Sequence, residues 1–221
     1  MVLTAAMRPA TALSADGPAN LYQAVLTAAS LKLSDHGILV VMNGKVIPGW
    51  QAIKTDSAAL ESFCAYPGGL IGRISGEKMI LSGESCTSPL SGMFSDHLNK
   101  GGKLPLVRVI FLRGGFEEVL LEDLIKNDCK GAVIAGFGAG TLPDTVVNRI
   151  ANMERPECVI VVSSRVQRVM VMSETMTQIE GWSSIPSGFL NPQKSALLLS
   201  LALEDGLQTL EIAGFFKKLY G

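Results

Sequence analysis

The first residue of this chain to which chemistry can be assigned is a lysine, Lys54, which follows an apolar stretch and precedes Thr55-Asp56-Ser57. A hydroxyl is a poor nucleophile until a neighbouring base removes its proton, and a lysine can be that base when burial or nearby charge lowers its pKa. On composition alone, Lys54 reads as a solvated surface cation. A second observation is therefore needed before it is given a role in catalysis.

A glycine-rich run at residues 136–140 (GFGAG) follows an apolar segment and precedes a helical pattern, as a dinucleotide-binding loop would. The pattern of such loops requires a third glycine at position 141, where this chain has Thr141. The next strand candidate ends in Val162-Ser163-Ser164, which offers no acidic residue to hold a ribose. The run is therefore a poor match to an NAD site.

Three segments in the first part of the chain resemble a known family when they are taken together. They are residues 6–18 (AMRPATALSADGP), residues 37–43 (GILVVMN) and residues 53–56 (IKTD). They are similar to the bacterial L-asparaginase family, which includes glutaminase-asparaginases and consists of amidohydrolases with a threonine nucleophile. Residues 163–166 (SSRV) and 187–194 (SGFLNPQK) extend the resemblance almost to the end of the chain.

The resemblance implies roles for two residues of the first half. Lys54 matches the lysine of the family's Lys-Thr-Asp or Lys-Thr-Asn segment, which forms a proton relay with an upstream Thr-Asp pair and so activates the nucleophile. Ala6 matches the residue whose backbone carbonyl accepts a hydrogen bond from the side-chain amide of the substrate. We expect Ser14 and Asp16 to organise the intervening turn, with Asp16 also a candidate cap for the helix after it.

In the second half, the resemblance implies that Thr141 contacts substrate. The family has a similar glycine-rich loop that ends in Asn or Ser and reaches into the active site of a neighbouring subunit, and Thr141 keeps the hydroxyl. A family glutamate that binds the substrate's amino group is less easily matched. A gapless alignment places Met176 there, with the carboxylates of Glu174 and Glu180 nearby, and we take Glu174 as the candidate.

The reaction implied by the resemblance is hydrolysis of L-asparagine to L-aspartate and ammonia through an acyl-enzyme. In the family, the nucleophile segment and the Thr-Asp pair lie upstream of the part matched by residue 1, so we expect the chain to begin partway through the fold. Two alternatives stay open: a catalytically inactive fragment or amide-binding remnant, and a glutaminase or related amidohydrolase. The resemblance further implies a small-molecule substrate (L-asparagine, possibly L-glutamine), no metal or organic cofactor, and a homo-oligomer, usually a tetramer.

Composition narrows the classes of partner. The 221 residues carry a net charge of −1 and form no basic cluster, which argues against nucleic acid and anionic membranes. The apolar stretches are too short to cross a bilayer. Four widely spaced cysteines, with no C-x-x-C motif, predict mostly buried thiols rather than disulfides or a zinc site. The compartment, cytoplasmic or periplasmic, stays open.

The elements that must position these residues alternate between strand and helix patterns, which is typical of an α/β layer architecture. We predict the remainder of an N-terminal α/β domain with a mostly parallel sheet at residues 1–83. A linker rich in Ser, Thr, Gly and Pro follows at 84–104, and a complete, smaller parallel α/β domain at 105–221. Residues 2–5 are expected to end a buried strand, and residues 116–126 to form a helix.

Overall fold

The computed structural model describes residues 1–82, 87–115, 120–122, 129–154 and 157–220. The described strands are β1 (Val2–Leu3), β2 (Leu39–Met42), β3 (Lys45–Pro48), β4 (Ala52–Lys54), β5 (Phe63–Ala65), β6 (Gly72–Ser75), β7 (Lys78–Leu81), β8 (Val107–Phe111), β9 (Gly131–Gly136), β10 (Val159–Ser164) and β11 (Ile185–Pro186). The helices are α1 (Gly17–Ala28), α2 (Ser95–Lys100), α3 (Asp144–Ala151), α4 (Pro192–Glu204) and α5 (Thr209–Lys218), with short 3-10 turns at Leu31–Leu33 and Gly49–Gln51. The α/β class is confirmed. The chain divides into two compact units, Met1–Ser91 and Gly92–Gly221.

The main sheet of the first unit has the strand order β1-β2-β3-β6-β7. Strands β1 and β2 are parallel, and the other three ladders are antiparallel. The described strands thus contain fewer parallel ladders than the sequence predicts, because β2–β3 and β6–β7 are hairpins. Asn43 and Gly44 form the two-residue loop of the first hairpin, both with positive φ, as a turn that matches the strand twist requires.

The core of the first unit lies between α1 and this sheet. Its buried apolar members come from α1, the 3-10 turn, β2, β3 and the β6 region: Ala24, Leu33, Leu39, Val41, Val46, Ile71 and Ile74. A separate two-stranded ladder, β4–β5, pairs Lys54 with Phe63. The candidate lysine is therefore held by this ladder and not by the main sheet.

The second unit contains a sheet with the order β11-β10-β9-β8, parallel throughout as predicted. All residues of β9 and β10 are buried, which is expected for strands covered on both faces. One face packs against Val146 and Ile150 of α3. The other approaches α4 so closely that a Cβ on Gly131 would lie 2.8 Å from Leu199.

Several elements differ from the predicted ones. Strand β1 ends at Leu3, whose side chain is 47% exposed rather than buried. Helix α2 lies inside the segment predicted to be a linker, and the division between the two units, at Ser91 and Gly92, also falls there; the domain bounds themselves stay a prediction. Of the helix predicted at residues 116–126, residues 120–122 are helical and the remainder lies outside the described residues.

In the described part of the chain, no helix is both long and apolar enough to cross a membrane.

Candidate active site

Asn20, a buried residue of α1, connects the carboxyl ends of β1 and β2. Its side-chain Nδ2 donates to the carbonyl of Ala5 and to the Asp16 carboxylate, each at 2.9 Å. Its Oδ1 accepts a hydrogen bond of 2.9 Å from the backbone N–H of Asn43. Both ends of the amide are thus satisfied by groups that follow the two strands. Asn20 fixes the strand edge at which open α/β sheets bind their ligands.

Asp16 closes the turn between β1 and α1. Its carboxylate accepts hydrogen bonds from the backbone N–H of Met7, at 2.9 and 3.1 Å, and of Arg8, at 2.9 Å. These bonds, with the Met7 bond contributing most, hold the pKa of Asp16 below its ordinary value. The Arg8 guanidinium donates to the carbonyl of Ser14 at 3.0 Å and also to its hydroxyl. The prediction that Ser14 and Asp16 organise this turn is confirmed.

The expected capping role of Asp16 is wrong. Asp16 occupies the residue before α1, but its side chain makes no capping hydrogen bond to the helix. The carboxylate makes no cap because it accepts hydrogen bonds from the backbone N–H groups of Met7 and Arg8 instead.

Ala6 lies at the start of this turn, and its side chain is exposed. The backbone groups on either side are engaged, since the Ala5 carbonyl accepts from Asn20 and the Met7 N–H donates to Asp16. Within the described residues, the Ala6 carbonyl oxygen accepts no hydrogen bond. A carbonyl held between two fixed neighbours is well prepared to accept one from an amide N–H.

Lys54 is the last residue of β4, and its side chain is exposed. Its ammonium group lies 5.8 Å from the centroid of the Phe63 ring, its partner in the ladder, which is within the range of a cation–π contact. The next residue continues the pairing, because the Thr55 N–H donates to the Ser62 carbonyl at 2.8 Å. The backbone around Lys54 is therefore fixed, and the exposure of its side chain fits a catalytic lysine and a surface cation equally well.

Asp56, two residues after Lys54, is an unsuitable base. Its carboxylate accepts hydrogen bonds from the N–H groups of Ala58 at 2.7 Å and Ala59 at 2.8 Å. These bonds, first that of Ala59, together with a smaller attraction from Lys54, lower the pKa of Asp56. The carboxylate therefore holds the turn after β4.

Lys45 of β3 supports the same region, a role that the sequence does not indicate. Its side chain is only 8% exposed, and its Nζ donates to the Phe63 carbonyl at 3.1 Å and pairs with the Glu61 carboxylate at 2.5 Å. The hydrogen bond with Lys45 is the largest cause of the lowered pKa of Glu61. Because Phe63 pairs with Lys54, Lys45 anchors the strand that positions the candidate lysine. A lysine inside a short strand pattern gives no sequence signal of burial.

Thr141 ends a closed turn that follows β9. The Phe137 N–H donates to the Thr141 carbonyl at 2.9 Å, and the N–H groups of Thr141 and Gly140 donate back to the Phe137 carbonyl at 2.8 and 3.0 Å. These three amide groups are used inside the turn. The Thr141 residue itself is exposed.

The turn that holds Glu174 packs against this glycine-rich turn. The Thr177 N–H donates to the Gly140 carbonyl at 3.0 Å, and the Thr177 hydroxyl accepts from the Leu142 N–H at 2.9 Å. Glu174 is exposed. Thr141 and Glu174 thus lie on adjoining loops that follow β9 and β10, at the carboxyl edge of the second sheet.

The three residues considered for the substrate's amino group have different surroundings. Met176 is 6% exposed and belongs to the apolar core of the second unit, so it has nothing to offer a charged ammonium. Glu174 and Glu180 are both exposed. Burial, and in second place the charge of Glu174, raise the pKa of Tyr220.

The four predicted site residues are divided between the two units. Ala6 and Lys54 belong to the first unit, whereas Thr141 and Glu174 belong to the second. Across the described ranges, no three His, Cys, Asp or Glu side chains cluster as metal ligands would.

Two family models match the chain. Residues 1–86 match the model described as "Asparaginase, N-terminal", and residues 106–216 match the "Glutaminase/Asparaginase C-terminal domain". The chain belongs to the asparaginase family. The family resemblance stated from the sequence is confirmed, and the asparaginase family is one of amide hydrolases.

Curated asparaginases are similar along almost the whole chain. L-asparaginase 2 of Escherichia coli is 32% identical over 99% of this chain and 62% of its own length. A probable periplasmic L-asparaginase of Haemophilus influenzae is 33% identical over 98% of this chain and 62% of its own length. L-asparaginase 2-3 of Saccharomyces cerevisiae is 34% identical over 99% of this chain and 60% of its own length. The chain therefore spans about three fifths of these asparaginases.

A solved asparaginase structure has the same fold. The crystal structure of a probable cytoplasmic L-asparaginase from Campylobacter jejuni superposes with a TM-score of 0.83 at 29% identity, covering 98% of this chain and 66% of that one.

Proposed function

We propose that this chain supplies the amide-binding turn and the proton-relay lysine of an L-asparaginase. The observation that carries the proposal is the turn after β1. There, Asn20 and Asp16 hold the backbone on both sides of Ala6, whose carbonyl oxygen accepts no hydrogen bond from the described residues, in a chain that both asparaginase models match. The similarity to proteins named L-asparaginase supports L-asparagine as the substrate.

The reaction is an acyl transfer in two steps. A threonine hydroxyl, supplied by a segment outside these 221 residues, attacks the side-chain amide carbon of asparagine and gives its proton to the relay that includes Lys54. Backbone N–H groups stabilise the oxyanion, the proton passes to the departing nitrogen, and ammonia leaves. Water then gives a proton to the relay as its oxygen attacks the acyl carbon, and the threonine oxygen leaves with that proton, which releases aspartate.

Two residues of the first unit act in the first step. The Ala6 carbonyl accepts a hydrogen bond from the amide nitrogen of the substrate and so orients the carbon for attack. The Lys54 amine, at the end of a fixed ladder, takes part in accepting the threonine proton, and once protonated it places positive charge beside the developing negative charge. Neither role needs a metal or an organic cofactor.

The second unit contributes substrate contacts in this proposal. Thr141 and Glu174 lie on adjoining exposed loops, and we place them at the amino-acid end of the substrate, with Glu174 pairing with its ammonium. Thr141 would serve the site of a neighbouring subunit, so the active protein would be a homo-oligomer. Mass photometry of the active protein measures the oligomeric state, and a monomer would contradict this part.

Ammonia release tests the proposed function directly. A protein that joins these 221 residues to an upstream asparaginase segment bearing the nucleophilic threonine is expected to release ammonia from L-asparagine and to form L-aspartate in equal amount. The 221-residue chain alone is expected to release none. Activity of the chain alone would show that one of its own residues is the nucleophile.

The same assay separates the alternatives. Faster turnover of L-glutamine than of L-asparagine would favour a glutaminase. An amide-binding remnant would give a joined protein that is folded but inactive. Its unfolding temperature would still rise when L-asparagine is added.

Thr141→Val and Glu174→Gln are each expected to raise KM for asparagine about tenfold or more, since each removes one hydrogen-bonding or charged partner from the substrate. kcat should change less. Glu180→Gln, which removes an exposed carboxylate six residues further on, is the matched control and should leave KM unchanged. Steady-state kinetics at several asparagine concentrations measure both constants. If Glu180→Gln raises KM and Glu174→Gln does not, the carboxylate that pairs with the substrate's ammonium is that of Glu180.

A further inference from the structure

Ser164, the last residue of β10, is bonded to the glycine-rich turn that ends at Thr141. Its hydroxyl donates to the Gly138 carbonyl, in the middle of that turn, at 2.5 Å and accepts from the Val166 N–H at 2.9 Å. Ser164 is only 2% exposed. Because the hydroxyl both donates and accepts inside the protein, its orientation is fixed. The bond to Gly138 therefore ties the turn to the end of a buried strand.

Arg165, the next residue, holds the same turn through an aromatic ring. Its guanidinium lies 4.2 Å from the centroid of the Phe137 ring, which is within the range of a cation–π contact. Phe137 begins the turn and closes it through hydrogen bonds with Gly140 and Thr141. The guanidinium also donates to the carbonyl of Leu112, the residue after β8, at 2.9 Å. Arg165 therefore connects the turn to the end of β8 as well as to β10.

The loop between β10 and β11 adds two more hydrogen bonds to the turn. The Thr175 hydroxyl donates to the Ala139 carbonyl at 3.4 Å, and the Thr177 N–H donates to the Gly140 carbonyl at 3.0 Å. Each carbonyl at positions 138–140 thus accepts a hydrogen bond from outside the turn. A binding side chain keeps its productive position only when the groups around it are fixed in this way.

We propose that Ser164 and Arg165 are positioning residues, which fix the glycine-rich turn so that Thr141 meets the substrate in one orientation. This inference rests on the proposed function, since it assigns both residues to the binding of L-asparagine through Thr141. They act on the turn and not on the substrate. Their loss should weaken asparagine binding and leave the chemical step unchanged, because the relay lysine, Lys54, belongs to the first unit.

The preceding residue of β10 provides a matched control. Ser163 is 1% exposed, and its hydroxyl also donates to a backbone carbonyl, that of Leu190, at 3.3 Å. Successive side chains of a strand point to opposite faces of the sheet, and Leu190 lies just before α4 and not in the glycine-rich turn. Ser163→Ala and Ser164→Ala thus each remove a buried hydroxyl from the same strand, but Ser164→Ala removes one that is bonded to the turn.

Steady-state kinetics of the joined protein, which carries the upstream nucleophile, test the role. Ser164→Ala is expected to raise KM for asparagine about fivefold, the scale of one neutral hydrogen bond, and to change kcat less than about twofold. Ser163→Ala should leave KM unchanged. Thr141→Val should raise KM by a smaller factor in the Ser164→Ala background than in the wild-type sequence, because two residues that act through one contact are not additive. In the Ser163→Ala background it should have its full effect.

Hydrogen exchange followed by mass spectrometry gives a readout that needs no activity. Peptides covering residues 137–142 of the joined protein should exchange faster in Ser164→Ala than in Ser163→Ala. Equal exchange in the two variants, equal KM values, or an undiminished effect of Thr141→Val in the Ser164→Ala background would overturn the proposal. If the joined wild-type protein releases no ammonia, the proposed function fails instead, and the exchange result decides alone whether Ser164 holds the turn.

Arg165→Gln decides the matter if Ser164→Ala does not fold, because Arg165 is exposed and its substitution leaves the core intact. It should raise KM and speed the exchange of the same peptides. Arg168→Gln, at an exposed arginine three residues further on, is the control and should do neither. Equal effects of the two arginine substitutions would overturn the proposal.

Discussion

Lys54→Met is expected to lower kcat for asparagine hydrolysis by about a hundredfold or more, the usual scale for the loss of a positioned acid–base group. The measurement is ammonia release by the protein that carries the upstream nucleophile. Methionine keeps the length of the apolar part of the side chain but cannot move a proton. KM should change much less, because Lys54 acts on the proton of the nucleophile and not on the amino-acid end of the substrate.

The structure explains why the fold should tolerate this substitution. The Lys54 side chain is exposed, and its recorded contact is with the face of the Phe63 ring at 5.8 Å, which a thioether can also make. The β4–β5 ladder is held by backbone bonds and by Lys45, which donates to the Phe63 carbonyl at 3.1 Å. The free energy of unfolding should therefore change by no more than about 0.5 kcal/mol.

Lys78→Met provides the matched control, since Lys78, the first residue of β7, is also an exposed lysine at a strand terminus in the first unit. It should leave kcat and stability unchanged. If Lys54→Met leaves kcat unchanged, as Lys78→Met should, Lys54 is a surface cation. That is the interpretation that the sequence favours without the family resemblance. A loss of activity accompanied by an equal loss of folded protein would instead place Lys54 among the residues that support the ladder.

The elements that could be predicted from the sequence are those with an unambiguous apolar pattern. Strand β9 and the first four residues of β10 are continuous runs of apolar residues and glycine, because a parallel strand covered on both faces is buried at every position. Helix α4 begins at Pro192 after Asn191, whose side chain accepts from the Lys194 N–H at 2.9 Å. That cap is a local signal and needs no knowledge of the tertiary fold.

The residues that the sequence could not reveal are polar side chains whose partners are distant in the chain. Asn20 has the pattern of an ordinary exposed helix residue, yet it is 2% exposed, because its partners Ala5 and Asn43 come together only in the folded sheet. Lys45 is buried for the same reason, through Glu61 and the β5 strand. Such residues support a site without carrying a motif, so only the structure identifies them.

The last prediction concerns the glycine-rich turn that carries Thr141. Gly140→Ala is expected to destabilise the second unit by about 3 kcal/mol or more, because a left-handed backbone costs about 1–2 kcal/mol and overpacking a further 1–3 kcal/mol. Gly140 has a φ of 98°. A Cβ there would lie 2.8 Å from Val171 Cγ1 and 2.9 Å from Met176 Cβ. Urea unfolding monitored by circular dichroism measures the change.

Gly138→Ala separates conformational strain from crowding. Gly138 also has positive φ, 47°, but a Cβ there would meet no atom within 4 Å. Gly138→Ala should therefore lower the free energy of unfolding only through the strained left-handed backbone, by about 1 kcal/mol. Equal losses at the two positions would mean that the core around Val171 and Met176 relaxes to admit the methyl group. A larger loss at Gly140 would show that the turn is fixed by packing against that core, which is the condition for Thr141 to be held in one place.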